Sequence, residues 1–124
     1  MEQLLLHLIG DYITQTDKMA NMKTKSMWWA YVHSLVYSLP FFLLTQSVYA
    51  FLMIQISHML IDHYRLARYV VFFKNWVTDW SLKWNECNKT GYPNNTPDWL
   101  AVWLLIIADN TMHITINYLS IKYL

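Results

Sequence analysis

The chain has 124 residues, of which 56% are hydrophobic, 17% aromatic and only 14% charged, with a formal net charge of +1. A charged fraction far below the roughly 25% of soluble domains points towards lipid contact. Nine basic residues without a dense run exclude an electrostatic case for nucleic acid. A single cysteine, Cys87, excludes an internal disulfide and any multi-cysteine zinc motif. Two glycines and three prolines leave few turns, so the expected fold is an all-α helical bundle of four to five helices, one domain over 1–124.

In chain order, a first helix is expected over 2–22, followed by the basic linker Lys23, Thr24 and Lys25. Glu2 and Asp11 interrupt its apolar residues, so no signal peptide is expected. Residues 26–61 contain no Asp, Glu, Lys or Arg, a run of 36. About 20 apolar residues cross a bilayer, so this run has room for nearly two short spans, hinged near Pro40 or at Thr45, Gln46 and Ser47. Helices are expected over 26–44, with Pro40 kinking or ending the first, and over 47–73. Trp76, Trp80 and Trp84 follow at fourfold spacing, which on a helix over 75–86 forms one indole stripe for packing or for a membrane interface. Residues 88–97 read as a loop. Thr96 and Pro97 then start a last helix over 97–122. Lys18, Lys23 and Lys25 lie on one side of the apolar run and Arg65, Arg68 and Lys74 on the other, as the positive-inside rule expects of a hairpin. The expected location is therefore a membrane, the bacterial inner membrane. The mean hydropathy of +0.18 keeps a second option open, a soluble bundle that covers its apolar surface by homo-oligomerisation.

Three polar pairs carry the functional signal: His7 with Asp11, His58 with Asp62, and Asp109 with His113. Each is spaced i, i+4, so both side chains share one helix face. Five His, each with two such neighbours, and six Asp in 124 residues give about 0.5 pairs by chance, against three found. Each pair extends along its helix, with Thr14, Gln15 and Lys18 on the first, Gln55 and Arg65 around the second, and Asn117 and Ser120 beyond the third. His33 adds an imidazole flanked by Trp29, Tyr37 and Pro40. His63 falls on the opposite face from His58 and is set aside.

Ionisable groups in such apolar segments are costly unless paired or coordinated. Four helices that each present a histidine, three of them with a carboxylate, can build an interior metal site in a bundle. The candidate ligands are His7, Asp11, His33, His58, Asp62, Asp109 and His113, and the donor types suit zinc first, then iron or manganese. The surplus carboxylates among Asp11, Asp62 and Asp109 would orient imidazoles or act as a catalytic base. Lys18 or Arg65 would bind a phosphate. Blander readings stand beside this one: a solvated polar face for His7 and Asp11, a satisfied buried imidazole for His33, and neutral hydrogen-bonded Asp–His pairs elsewhere.

The segment His7-Leu-Ile-Gly-Asp11-Tyr, with Gln15-Thr-Asp17, Met19-Ala20 and Lys23, resembles the opening motif of a family of small bacterial and bacteriophage proteins. It is catalogued as domain of unknown function 3307 and described as membrane-associated. His33 with Tyr37-Ser-Leu-Pro40, His58-Met-Leu-Ile-Asp62 and Asp109-Asn-Thr-Met-His113 resemble its later motifs, with Asn110 where Gln is expected. The resemblance covers nearly the whole chain and implies no established activity. A looser similarity is to membrane-bound metal-dependent hydrolases, which also place His and Asp at fourfold spacing. Two functions are expected from these readings. One is a metal-dependent hydrolase for a membrane lipid or another amphiphilic or phosphorylated small molecule. The other is a non-catalytic phage or bacterial membrane protein that binds a host protein, in superinfection exclusion or defence antagonism.

Overall fold

The computed structural model describes residues 1–124 and contains helices and no strands. Seven α-helices follow in order: α1 (Glu2–Leu8), α2 (Asp17–Met22), α3 (Met27–Ser38), α4 (Val48–Tyr64), α5 (Ala67–Thr78), α6 (Trp84–Cys87) and α7 (Asp98–Tyr123). A π-helical turn, Ile9–Ile13, continues α1, and a 3-10 turn, Leu39–Leu43, continues α3. The chain divides into two compact units, Met1–Tyr64 with His113–Leu124, and Arg65–Met112.

Four expected helices are interrupted, each for a local reason. The first one changes to π geometry where the Thr14 amide bonds the Ile9 carbonyl, and it restarts at Thr16, whose side chain accepts from the Met19 amide and caps α2. The helix expected over 26–44 tightens into the 3-10 turn at Pro40. The one expected over 47–73 stops at Tyr64, because Arg65 takes a left-handed backbone with φ of 52°. The indole stripe is not helical throughout. Asp79 Oδ1 accepts from the amide and hydroxyl of Ser81, a local turn that ends α5 before Trp80. Trp80 still stacks on Trp76, but Trp84 opens α6 and stacks on Tyr69.

In the first unit the usual arrangement of polarity is reversed. Its apolar core is small: Leu6, Tyr37, Phe41 and Ile54, with Leu44 and Ile121 packed against them. Every buried polar or charged side chain of the protein belongs to this unit, among them three histidines of α1, α3 and α4, two aspartates, Gln55 and Asn117. Trp28, Tyr31, Leu43, Tyr49, Met53 and Ile56 meanwhile face outwards. Serines inside α3 satisfy themselves locally, Ser34 on the Tyr31 carbonyl and Ser38 on that of Leu35. A polar interior under an apolar exterior is what a lipid-facing bundle presents.

One helix, α7, is long and apolar enough to cross a membrane by length and composition. With 12 residues, α3 extends about 18 Å, and α4 with 17 about 25 Å. Both fall short of the roughly 30 Å hydrocarbon core, so the two spans expected within 26–61 are not formed as full-length helices. In the second unit, α5 and the loop before α7 meet at Gly91. Its φ of 86° and its close approach to the Arg68 carbonyl and Val71 leave no space for a Cβ, and its carbonyl accepts from Asn75.

Candidate metal centre

Asp11 sits in the middle of the π-helical turn. Such turns widen the backbone and re-aim one side chain, and here the carboxylate is buried at the bundle interior. Gly10 precedes it because the Tyr37 ring lies directly against its backbone: a Cβ on Gly10 would stand 2.5 Å from Tyr37 Cδ2. His33 comes from the middle of α3, and His58 and Asp62 from successive turns of α4.

Four donor atoms from these segments converge. His58 Nε2 lies 2.9 Å from His33 Nε2. Oδ1 of Asp11 is 3.2 Å from His33 Nε2 and 3.3 Å from His58 Nε2. Oδ2 of Asp62 is 3.2 Å from each of the same two nitrogens. All four side chains are buried, and their ligand atoms lie within 4.8 Å of one another. A tetrahedral zinc site with bonds of about 2.0–2.1 Å has ligand-to-ligand edges of about 3.3–3.4 Å, and octahedral bonds of about 2.1 Å give edges near 3.0 Å. The observed 2.9–3.3 Å edges match either spacing. These four atoms could therefore hold a metal ion.

The rings are positioned from their Nε2 side. Nδ1 of His33 and Nδ1 of His58 are buried without a hydrogen-bond partner, as is Oδ1 of Asp11. Tyr37 stacks on His58 with ring centroids 3.7 Å apart and fixes its plane. Electrostatics follow from crowding two carboxylates against imidazoles. Burial alone would raise the Asp11 carboxyl, but His33 and His58 beside it hold it well below the usual carboxylate range. Asp62 behaves alike: burial works against its charge, while the charge of His58 and the contacts with His113 and His33 keep it ionised. Burial works against the charged form of His33 as well, and Asp11 and Asp62 outweigh it, raising its affinity for a proton.

The remaining expected residues surround this core or lie elsewhere. His113, at the start of the α7 segment that belongs to the first unit, places Nε2 3.4 Å from Oδ1 of Asp62. His7 Nδ1 is 2.8 Å from the Tyr37 hydroxyl and 3.6 Å from Oδ2 of Asp11. Asn117 donates to the same hydroxyl at 2.6 Å, which leaves the tyrosine proton for His7 Nδ1. Asp109 lies one turn before His113 on α7, is half-buried, and is counted with the second unit. Lys18 is exposed with its ammonium 4.7 Å above the Trp29 ring. Arg65, in the second unit, donates to the Lys89 carbonyl. The cluster does contain a cation, Lys23, whose Nζ lies 2.8 Å from Oδ2 of Asp62. Periodicity had no means of finding it, because it lies in the turn after α2 and not on a helix face. His63 donates from Nδ1 to the Lys23 carbonyl, 2.9 Å away.

Fold and site together define an all-helical protein with a buried His/Asp cluster able to hold a metal ion, and with one helix apolar enough to cross a membrane. A family model described as protein of unknown function, DUF3307, matches residues 1–121, and the chain belongs to that family. No curated protein and no solved structure matches it.

Proposed function

We propose that the protein is a membrane-associated, metal-dependent hydrolase acting on an amphiphilic or phosphorylated substrate, and that Asp11, His33, His58 and Asp62 hold one divalent transition metal, zinc first. The observation that carries this reading is the set of four donor atoms at coordination spacing, two imidazoles and two carboxylates. Bound in such a site, a divalent ion polarises a substrate oxygen and lowers the pKa of water. Asp62, engaged on Oδ2 by Lys23 and near His113 through Oδ1, acts as ligand. Asp11, the more exposed of the two carboxylates, would offer Oδ1 to the metal, while its Oδ2 faces the fully buried His7 at 3.6 Å. The apolar exterior of the first unit and the composition of α7 support a place in the bacterial inner membrane, or in the host's if the protein is phage-encoded.

A second reading draws on the Lys23–Asp62 ion pair, which gives the cluster an internal counter-charge. In it the network only holds the helices together, and the protein acts by binding a host protein. Metal analysis separates the two. The first reading expects a metal in the purified protein, lost in His58→Ala. The second expects a folded, metal-free protein.

A further inference from the structure

Lys23 is the one cation in the cluster that reaches solvent. Its side chain is 19% exposed, against 10% for Asp11, 5% for Asp62 and 1% for His33 and His58. Lys23 and Asp11 are the members of the cluster nearest to solvent. The lysine is also held in place: its amide donates to the Met19 carbonyl, and its own carbonyl meets Nδ1 of His63, the residue after Asp62 on α4. Backbone and side chain of Lys23 are thus both tied to the α4 turn that carries Asp62.

Charge decides what this arrangement can bind. Two carboxylates and one ammonium give −1, and a divalent ion in the site makes the total +1. An uncompensated charge in a buried site is costly, so one further anion would balance the loaded site. An ammonium carries three donors, of which Asp62 engages one direction, and it binds phosphate oxygens well as a point charge.

We infer that Lys23 is the anion-binding residue of the site, and that its ligand is an oxyanion of the phosphate class, free phosphate or a lipid phosphate, seated between the Lys23 ammonium and the metal position. The inference rests on the metal reading above.

The test uses the full chain in detergent, with metal content measured before any anion is added. Failure to take up metal overturns the metal reading on its own and leaves no site for the anion. With zinc bound, calorimetry should show inorganic phosphate or micellar phosphatidate binding to the wild type, much more weakly to the metal-stripped protein. The phosphatidate arm binding tighter would assign the source as a lipid headgroup. Lys23→Met should retain metal but lose about ten- to a hundredfold in anion affinity, the range of one charge-assisted hydrogen bond, while Lys23→Arg stays within a fewfold of wild type. Anion binding that is unchanged in Lys23→Met, or equal without metal, overturns the inference. Should Lys23→Met fail to fold, cobalt-loaded wild type decides: phosphate must change its visible spectrum and broaden the phosphorus resonance, and no change overturns it.

Discussion

Replacing Gly10 with alanine tests how the first helix meets α3. In an ordinary helix this substitution gains about 1 kcal/mol, because glycine has more backbone freedom to lose. Here the new Cβ would stand 2.5 Å from Tyr37 Cδ2, with Cε2 at 3.1 Å and Cγ at 3.2 Å. The nearest contact is about 1 Å inside the roughly 3.5–4.0 Å of normal carbon packing. The ring has nowhere to move. It is fully buried, stacked on His58 at 3.7 Å, and its hydroxyl is held between His7 and Asn117. Overpacking costs about 1–3 kcal/mol, and a 2.5 Å contact against a ring held on all sides belongs to the upper part of that range, about 2–3 kcal/mol, so after the helix gain Gly10→Ala should lose about 1–2 kcal/mol net. For a domain of this size that is a fall in Tm of roughly 3–10 °C, read by thermal unfolding in detergent. Metal affinity should fall with it, because a displaced Tyr37 no longer fixes the His58 ring. An alanine variant as stable as the wild type, or more stable, would refute the packing argument.

Three further outcomes are expected. Tyr37→Phe removes the hydroxyl that His7 Nδ1 and the Asn117 amide share and should cost about 1–3 kcal/mol of unfolding free energy with little change in volume; an unchanged denaturant midpoint would contradict this. In the metal-free protein, the lowered carboxyl of Asp11 contributes stability above the ordinary value of 3.8 and loses it as pH falls, while the raised imidazole of His33 contributes below the ordinary 6.5 and loses it as pH rises. Chelated protein should therefore be most stable between those values. Metal, which needs neutral imidazoles, should reverse the slope towards pH 8, and a Tm series with and without chelator reads both. Finally, the protein should stay with membranes after alkaline carbonate washing and dissolve in detergent; release into the wash would count against the apolar exterior being lipid-facing.

The helical class and most of the polar core were legible because both depend on spacing. His58 and Asp62, four apart on an uninterrupted α4, lie where the pattern places them. His33 was a lone imidazole in sequence, yet it supplies the second nitrogen of the cluster, since nothing local shows which face of α3 turns towards α4. The fourfold spacing of His7 and Asp11 implies an ordinary helix. The two do share a buried face, with His7 Nδ1 3.6 Å from Asp11 Oδ2, but the spacing does not reveal the π-helical turn Ile9–Ile13 that carries Asp11. Lys23 looked like part of a charged linker and became an internal ion-pair partner through long-range folding that periodicity does not encode. The tryptophan stripe failed for the opposite reason: a local Asp79–Ser81 turn overrode a regular spacing.

Metal content of the purified full chain, measured by elemental analysis beside His58→Ala and Asp62→Asn, tests the central claim most directly. The four-donor site predicts about one equivalent of a divalent transition metal in the wild type, and a loss of affinity of at least about tenfold in each variant. A folded wild-type protein that binds no metal when offered zinc, iron or manganese would contradict it.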